Sequence, residues 1–137
     1  SNHFDTLNVC LTASIAMIPW LGSAFRGFII GLWLDGRLQR FATYTGARTE
    51  HLALADQQVD WVVRDRRLRL EMQAVQAGGG LIYGPTHRDM GRRVDETLDA
   101  ALQVRLSERG GRVLFEGCGR HAGLEINGDI PRLLAAG

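Results

Sequence analysis

The 137-residue chain contains no lysine: all sixteen of its basic residues are arginine. That absence excludes an internal Schiff base, a pyridoxal-phosphate anchor, a P-loop lysine and a kinase lysine. An excess of charge is missing too. Sixteen arginines against fifteen acids leave +1, so no strong overall field draws nucleic acid or anionic lipid. Cysteine is scarce, and Cys10 and Cys118 are too far apart in sequence for a disulfide scaffold or a zinc site. Their plainest reading is two buried, reduced thiols in a cytoplasmic protein. His3, His51, His87 and His121 are scattered and form no HxxxH or HExxH pair, so no metal is expected. No signal peptide opens the chain. Ser1-Asn2 reads as an added remnant, and the abrupt start leads us to expect a piece of a longer protein.

Helical periodicity is weak everywhere except Pro131 to Ala135, where a short terminal helix or turn is expected. The longest apolar stretch, Leu11 to Leu34, is long enough to span a bilayer. Pro19 and Gly22 interrupt it, Arg26 would lie in the hydrocarbon, and Asp35-Gly36 closes it with a hairpin signal. It reads as a strand pair, Val9 to Ala16 and Phe25 to Leu34, joined by a bend at Ile18 to Gly22. The second strand is apolar on both faces, as where both sides are covered.

Short apolar or alternating runs separated by turns continue through Leu38–Thr45, His51–Leu54, Val59–Arg64, Leu68–Ala74, Leu98–Leu106, Val113–Cys118 and Leu124–Ile126. Leu68, Leu70, Met72 and Ala74 share one face, with Arg67, Arg69, Glu71 and Gln73 opposite. Leu98, Ala100, Leu102, Val104 and Leu106 repeat the pattern. About eight to nine strands at this spacing indicate an all-β antiparallel barrel or sandwich. A barrel of that size can hold one small ligand. Ala77 to Asp95, with Gly78-Gly79-Gly80 and Pro85, is the longest stretch without a period. The glycines lack a following helix and a GK[ST] sequence, so they read as a flexible crossing between strands and not as a phosphate cradle.

Few residues suggest chemistry. Trp20, Trp33, Trp61, Tyr44 and Tyr83 lie on or beside expected strands; they are either ordinary core or the lining of an apolar ligand cavity. Glu125 and Glu96 stand among small or apolar residues or beside Arg92. A carboxyl on an inward strand position has its pKa raised by desolvation and can act as a general acid. The plain alternative is a structural pair of Arg92 with Glu96 or Glu125. The run Arg64 to Arg69 reads as a solvated strand–turn–strand, or as a dock for an acidic partner or lipid headgroup through bidentate arginine contacts.

Several segments, in order, resemble the second half of tocopherol cyclase-like proteins. They are Ser14-Ile15-Ala16-Met17-Ile18-Pro19-Trp20 with Phe25-Arg26-Gly27-Phe28-Ile29; Phe41 to Ala47; Leu81-Ile82-Tyr83-Gly84-Pro85 with Asp89 to Thr97; and Ala122-Gly123-Leu124-Glu125-Ile126. Gly84-Pro85 stands where many relatives carry Ala-Pro. The resemblance implies a lipocalin-like antiparallel β-barrel over residues 1–137, the C-terminal half of a two-domain protein. It also implies a cofactor-independent cyclase or isomerase chemistry, adding a phenol across a prenyl double bond, that draws on the missing N-terminal half. On that basis Glu125, Glu96 and His121 are the candidate acids. Trp33, Tyr44, Trp61, Tyr83 and Arg92 are the candidate ligand-binding residues. The expected partners are a prenylated or polyene small molecule and either the missing domain or a second copy of the chain. Peripheral membrane contact is a further expectation, and no cofactor or nucleic acid is expected. The competing expectation is a non-catalytic structural or dimerising module.

Overall fold

The computed structural model describes residues 1–55, 57–76, 80–84 and 92–136, with the side chains of residues 80–84 and 92–96 outside that description. Its described residues are mostly antiparallel strand. A three-stranded sheet is formed by β2 (Val9–Trp20), β3 (Ser23–Leu34) and β4 (Arg37–Ala42). The larger sheet contains β1 (His3–Phe4), β5 (Arg48–Ala55), β6 (Gln58–Arg64), β7 (Leu68–Gln76), β8 (Gly80–Gly84), β9 (Arg92–Glu108) and β10 (Val113–Ile126). Its order is β1-β10-β9-β7-β6-β5, and β8 follows β7 along the same edge of β9. A short helix, α1 (Ile130–Ala135), follows β10, with the Asp129 carboxylate accepting from the Arg132 backbone N–H at 3.1 Å.

The hairpin signals act as their chemistry requires. Asp35-Gly36 takes left-handed backbone angles (φ 48° and 79°) between the paired residues Leu34 and Arg37. Such primed two-residue turns match the twist of the strands they join. Leu21-Gly22 does the same between Trp20 and Ser23, so β2 runs straight through the expected bend. Pro19 is accommodated because β2 is an edge strand, where a missing N–H leaves no ladder bond broken. The whole of Leu11 to Leu34 is therefore the expected strand pair, and no helix among the described residues is long and apolar enough to cross a membrane.

Period-2 alternation builds the core. Leu70, Met72, Leu102, Val104 and Leu106 from the large sheet meet Val9, Leu11, Phe28, Ile30, Leu32 and Phe41 from the small one. Each large side chain removed from water contributes about 1.5–3 kcal/mol before conformational entropy is set against it. Trp61 packs edge-on against Phe28 across the two sheets, with ring centroids 5.6 Å apart. Two seams join the sheets. At one, Ser1 and Leu11 exchange backbone bonds of 2.7 and 2.8 Å, linking the β1 end of the large sheet to β2. At the other, a single 3-10 turn (Thr43–Thr45) carries β4 into β5, and Thr43 Oγ1 accepts from the Phe28 N–H at 2.9 Å. All-β architecture is thus established, while neither sheet closes into a barrel.

Three expectations are revised. The alternation of β9 does not extend to Leu98: the β9–β10 register shifts between Ala100 and Thr97, which turns Thr97 inward and leaves Leu98 exposed. A bulge inserts one residue and so reverses the facing beyond it. Both cysteines are free, but exposed and not buried. Cys10 pairs with Trp33 and Cys118 with Gln103, outward positions in both cases. Finally, β3 is covered on one face only, since Phe25, Ile29 and Trp33 remain 43–49% exposed.

Candidate functional site

Away from the tightly filled part of the core, the two sheets separate around a cavity of about 600 Å³. β2 supplies Leu11 and Ile15, the large sheet supplies Leu52, Trp61 and Met72, and α1 covers it with Ile130, Leu133 and Leu134. The helix is tied down by Arg26 of β3, whose guanidinium donates to the Leu133 carbonyl at 3.2 Å. These linings follow from the alternation. The inward positions of β5, β6 and β7 are aliphatic or aromatic except for Thr49 and Gln76, so the space left between the sheets is mostly apolar.

Polar groups are few: Ser1 and Ser14 on the β2 side, and Glu125 and Asn127 at the end of β10. Glu125 and Asn127 line the cavity there, and Glu125 is the only ionisable side chain in the lining among the described residues. It is exposed and makes no ion pair with a described residue, which places it at the mouth. A carboxylate in that position can accept a hydrogen bond from a ligand hydroxyl.

The candidate residues are distributed unevenly. Trp61 is in the lining, 5% exposed, with its indole N–H donating to Thr49 Oγ1 at 3.2 Å. Trp33 lies on the outer face of the small sheet, and Tyr44, on the 3-10 turn, is 72% exposed; neither reaches the cavity. His121 stands at the β10 irregularity with a left-handed backbone (φ 49°), which aims it outward to Asp99 at 2.8 Å. It too is outside the lining. Glu96 is opposite Glu125 in the strand register, Tyr83 is opposite Arg93, and Arg92 is opposite Gly84. The side chains of Glu96, Tyr83 and Arg92 fall outside the described residues, as do residues 77–79 and 85–91 of the aperiodic stretch.

Among the described residues no group of three or more His, Cys, Asp or Glu could hold a metal ion. The aliphatic wall was not separable from core in the sequence, because cavity-lining and space-filling positions share one alternation. No protein-family model, curated protein or solved structure matches the chain.

Proposed function

We propose that the protein binds a lipophilic small molecule, prenylated or polyene, between its two sheets, which together act as an open lipocalin-like calyx. The cavity carries this reading: about 600 Å³, lined mostly by apolar side chains including Trp61, with Ser1, Ser14, Asn127 and the Glu125 carboxylate as its polar groups. Pockets of this size and polarity suit an elongated hydrocarbon whose polar end stays near water. Support for a prenyl quinol in particular comes from the tocopherol cyclase-like sequence segments.

Binding is tested by titrating a fluorescent polyene fatty acid and displacing it with a C20 prenol. Saturable one-to-one binding is expected, weakened at least tenfold in Leu54→Trp, which fills the cavity from a half-buried position. Equal affinity in the filled variant, with its fold retained by circular dichroism, sinks the proposal. Cyclisation is a separate extension, tested by turnover of a prenylated hydroquinone in wild type and in Glu125→Gln.

A second reading, a dimerising module, has its own observation. The outer face of β2–β3–β4 is rich in large apolar side chains: Ile18, Trp20, Phe25, Ile29, Trp33 and Leu38 are 40–64% exposed, among them lie Thr12 and Ser14, and Arg40 is the one charged residue on it. Ile18 and Leu38 fold over Gly27 and Gly31, which levels the face. Exposed apolar side chains this numerous on one face suit an interaction site. Two copies stacked on it would bury on the order of 1,000 Å², the threshold for a specific interface. The expected result is a dimer in sedimentation velocity that Trp33→Arg converts to a monomer. A wild-type monomer at ~100 μM, well above typical micromolar affinities, removes this reading.

A further inference from the structure

The opposite end of the large sheet carries a second cleft, of about 470 Å³, and its lining is the chemical inverse of the first. Five arginines line it: Arg48 after the 3-10 turn, Arg64, Arg66 and Arg67 around the β6–β7 turn, and Arg109 at the β9–β10 turn. Three chain segments distant in sequence bring them together. No apolar side chain enters the lining, which is completed by Thr45, Gly46 and Asp65.

The local charge is only partly neutralised from within. Arg64 is paired with Glu50 at 2.8 Å, but Arg48, Arg66, Arg67 and Arg109 make no ion pair among the described residues. Asp65, the one acid in the lining, is turned to the backbone: its Oδ1 accepts from the N–H groups of Arg67 and Leu68, both at 2.7 Å. The turn is held further by the Arg109 N–H donating to the Arg67 carbonyl at 3.0 Å, which ties two of the three segments together. In a chain of net charge +1, this is a concentrated positive site on a fixed backbone frame.

Arg48 is directly opposite Arg64, and Arg64 directly opposite Arg69. Like charges facing one another across strands are unfavourable unless a counter-charge is supplied. Glu50 and Glu71 supply it for Arg64 and Arg69 on the sheet face. At the cleft itself Asp65 is the one lining carboxylate, committed to backbone N–H groups, and Glu108 attracts Arg67 without forming an ion pair with it. Guanidinium forks match the oxygens of a phosphoryl group bidentately, and four unpaired forks suit a multivalent anion better than a single carboxylate. The cleft has several times the space of one phosphate ion.

We propose that this cleft binds a phosphoryl-bearing anion, a diphosphate or a phosphorylated headgroup, at a site independent of the apolar cavity. The independence is structural. Along β6 the order is Trp61 at the cavity, Val63 in the sealed core and Arg64 at the cleft; along β7 it is Met72, then Leu70, then the turn. Val63 and Leu70 are fully buried.

Calorimetric titration with inorganic pyrophosphate, and co-sedimentation with phosphatidylcholine vesicles containing phosphatidic acid, distinguish a soluble phosphoryl group from a lipid headgroup. Saturable binding is expected in at least one arm at ~0.15 M salt, where long-range surface attraction is screened. It weakens at least ~tenfold in Arg66→Ala and in Arg109→Ala, the loss of about one charge-assisted contact. Arg120→Ala, which removes a guanidinium paired with Asp5 elsewhere, leaves it unchanged. Both substituted arginines are exposed in turns, and Arg66→Gln and Arg109→Gln replace the alanine variants if either loses its fold. Absence of binding in both arms overturns the site, as does equal binding by the cleft variants or equal weakening by Arg120→Ala.

Discussion

The two sheets are made of the same kind of strand but treat their outer faces differently. The large sheet is apolar inside and ionic outside: Glu50 bridges Arg64 and Arg69, Arg69 also reaches Glu71 at 2.7 Å, and Asp60 accepts from Gln58 and Gln73. The small sheet is apolar on both sides, with Ile30, Leu32 and Phe41 inside and Ile29, Trp33 and Leu38 outside. Inward residues explain folding in both cases. The outer faces report what each sheet is exposed to. The large sheet's outer face is laced with ion pairs, whereas the small sheet's outer face leaves large apolar side chains in contact with solvent.

The sharpest test of this contrast lies within the small sheet. Phe41→Ala removes a fully buried ring and is expected to destabilise the protein by about 3–5 kcal/mol. Ile29→Ala, on the outer face of the neighbouring strand, is expected to change the stability of an isolated monomer by less than about 1 kcal/mol. Urea unfolding midpoints read both, and similar losses would show that the two faces of the sheet are equally enclosed.

On the large sheet the corresponding change is Glu50→Gln, which removes the carboxylate shared by Arg64 and Arg69. These pairs are about one-third exposed, so the expected loss is at most about 1 kcal/mol and shrinks as salt is raised. Thermal melts at two ionic strengths measure it. A salt-independent loss would mean that Glu50 acts through packing.

The smallest effect is at the β9–β10 turn. Arg112 hydrogen-bonds Glu108 at 2.7 and 3.1 Å and holds its carboxyl below the ordinary value of 4.5, with Arg67 adding a weaker attraction. Because the folded-state pKa is the lower one, this contribution is fully present above the unfolded value. It is lost as pH falls through the folded value. Glu108→Gln should therefore narrow the stability difference between pH 7 and acid slightly, and leave the denaturant slope unchanged. A steeper acid loss in the variant contradicts the assignment.

Much of this arrangement is legible from local chemistry. Asp35-Gly36 specifies its turn, Leu68 to Ala74 specify a half-wet strand, and Pro131 to Ala135 specify the terminal helix. Trp61 is legible as an aromatic on an expected strand and does reach the cavity. Trp33 and Tyr44 are equally aromatic, and residue type alone cannot say which side of a strand or turn they occupy once a register is chosen elsewhere. His121 and Leu98 illustrate the same limit, because each lies at its own register shift in the β9–β10 pair, His121 between Gly119 and Ala122 and Leu98 between Thr97 and Ala100.

The sequence by itself determined that this is an antiparallel all-β chain without lysine chemistry, since turn residues and period-2 alternation act over a few neighbours. Only the tertiary structure decided where the strands leave space and where charge collects. The cavity exists because two sheets diverge beneath a helix anchored by Arg26, and the cleft exists because three turns far apart in sequence meet at one end of a sheet. Both depend on long-range register, which no local pattern encodes.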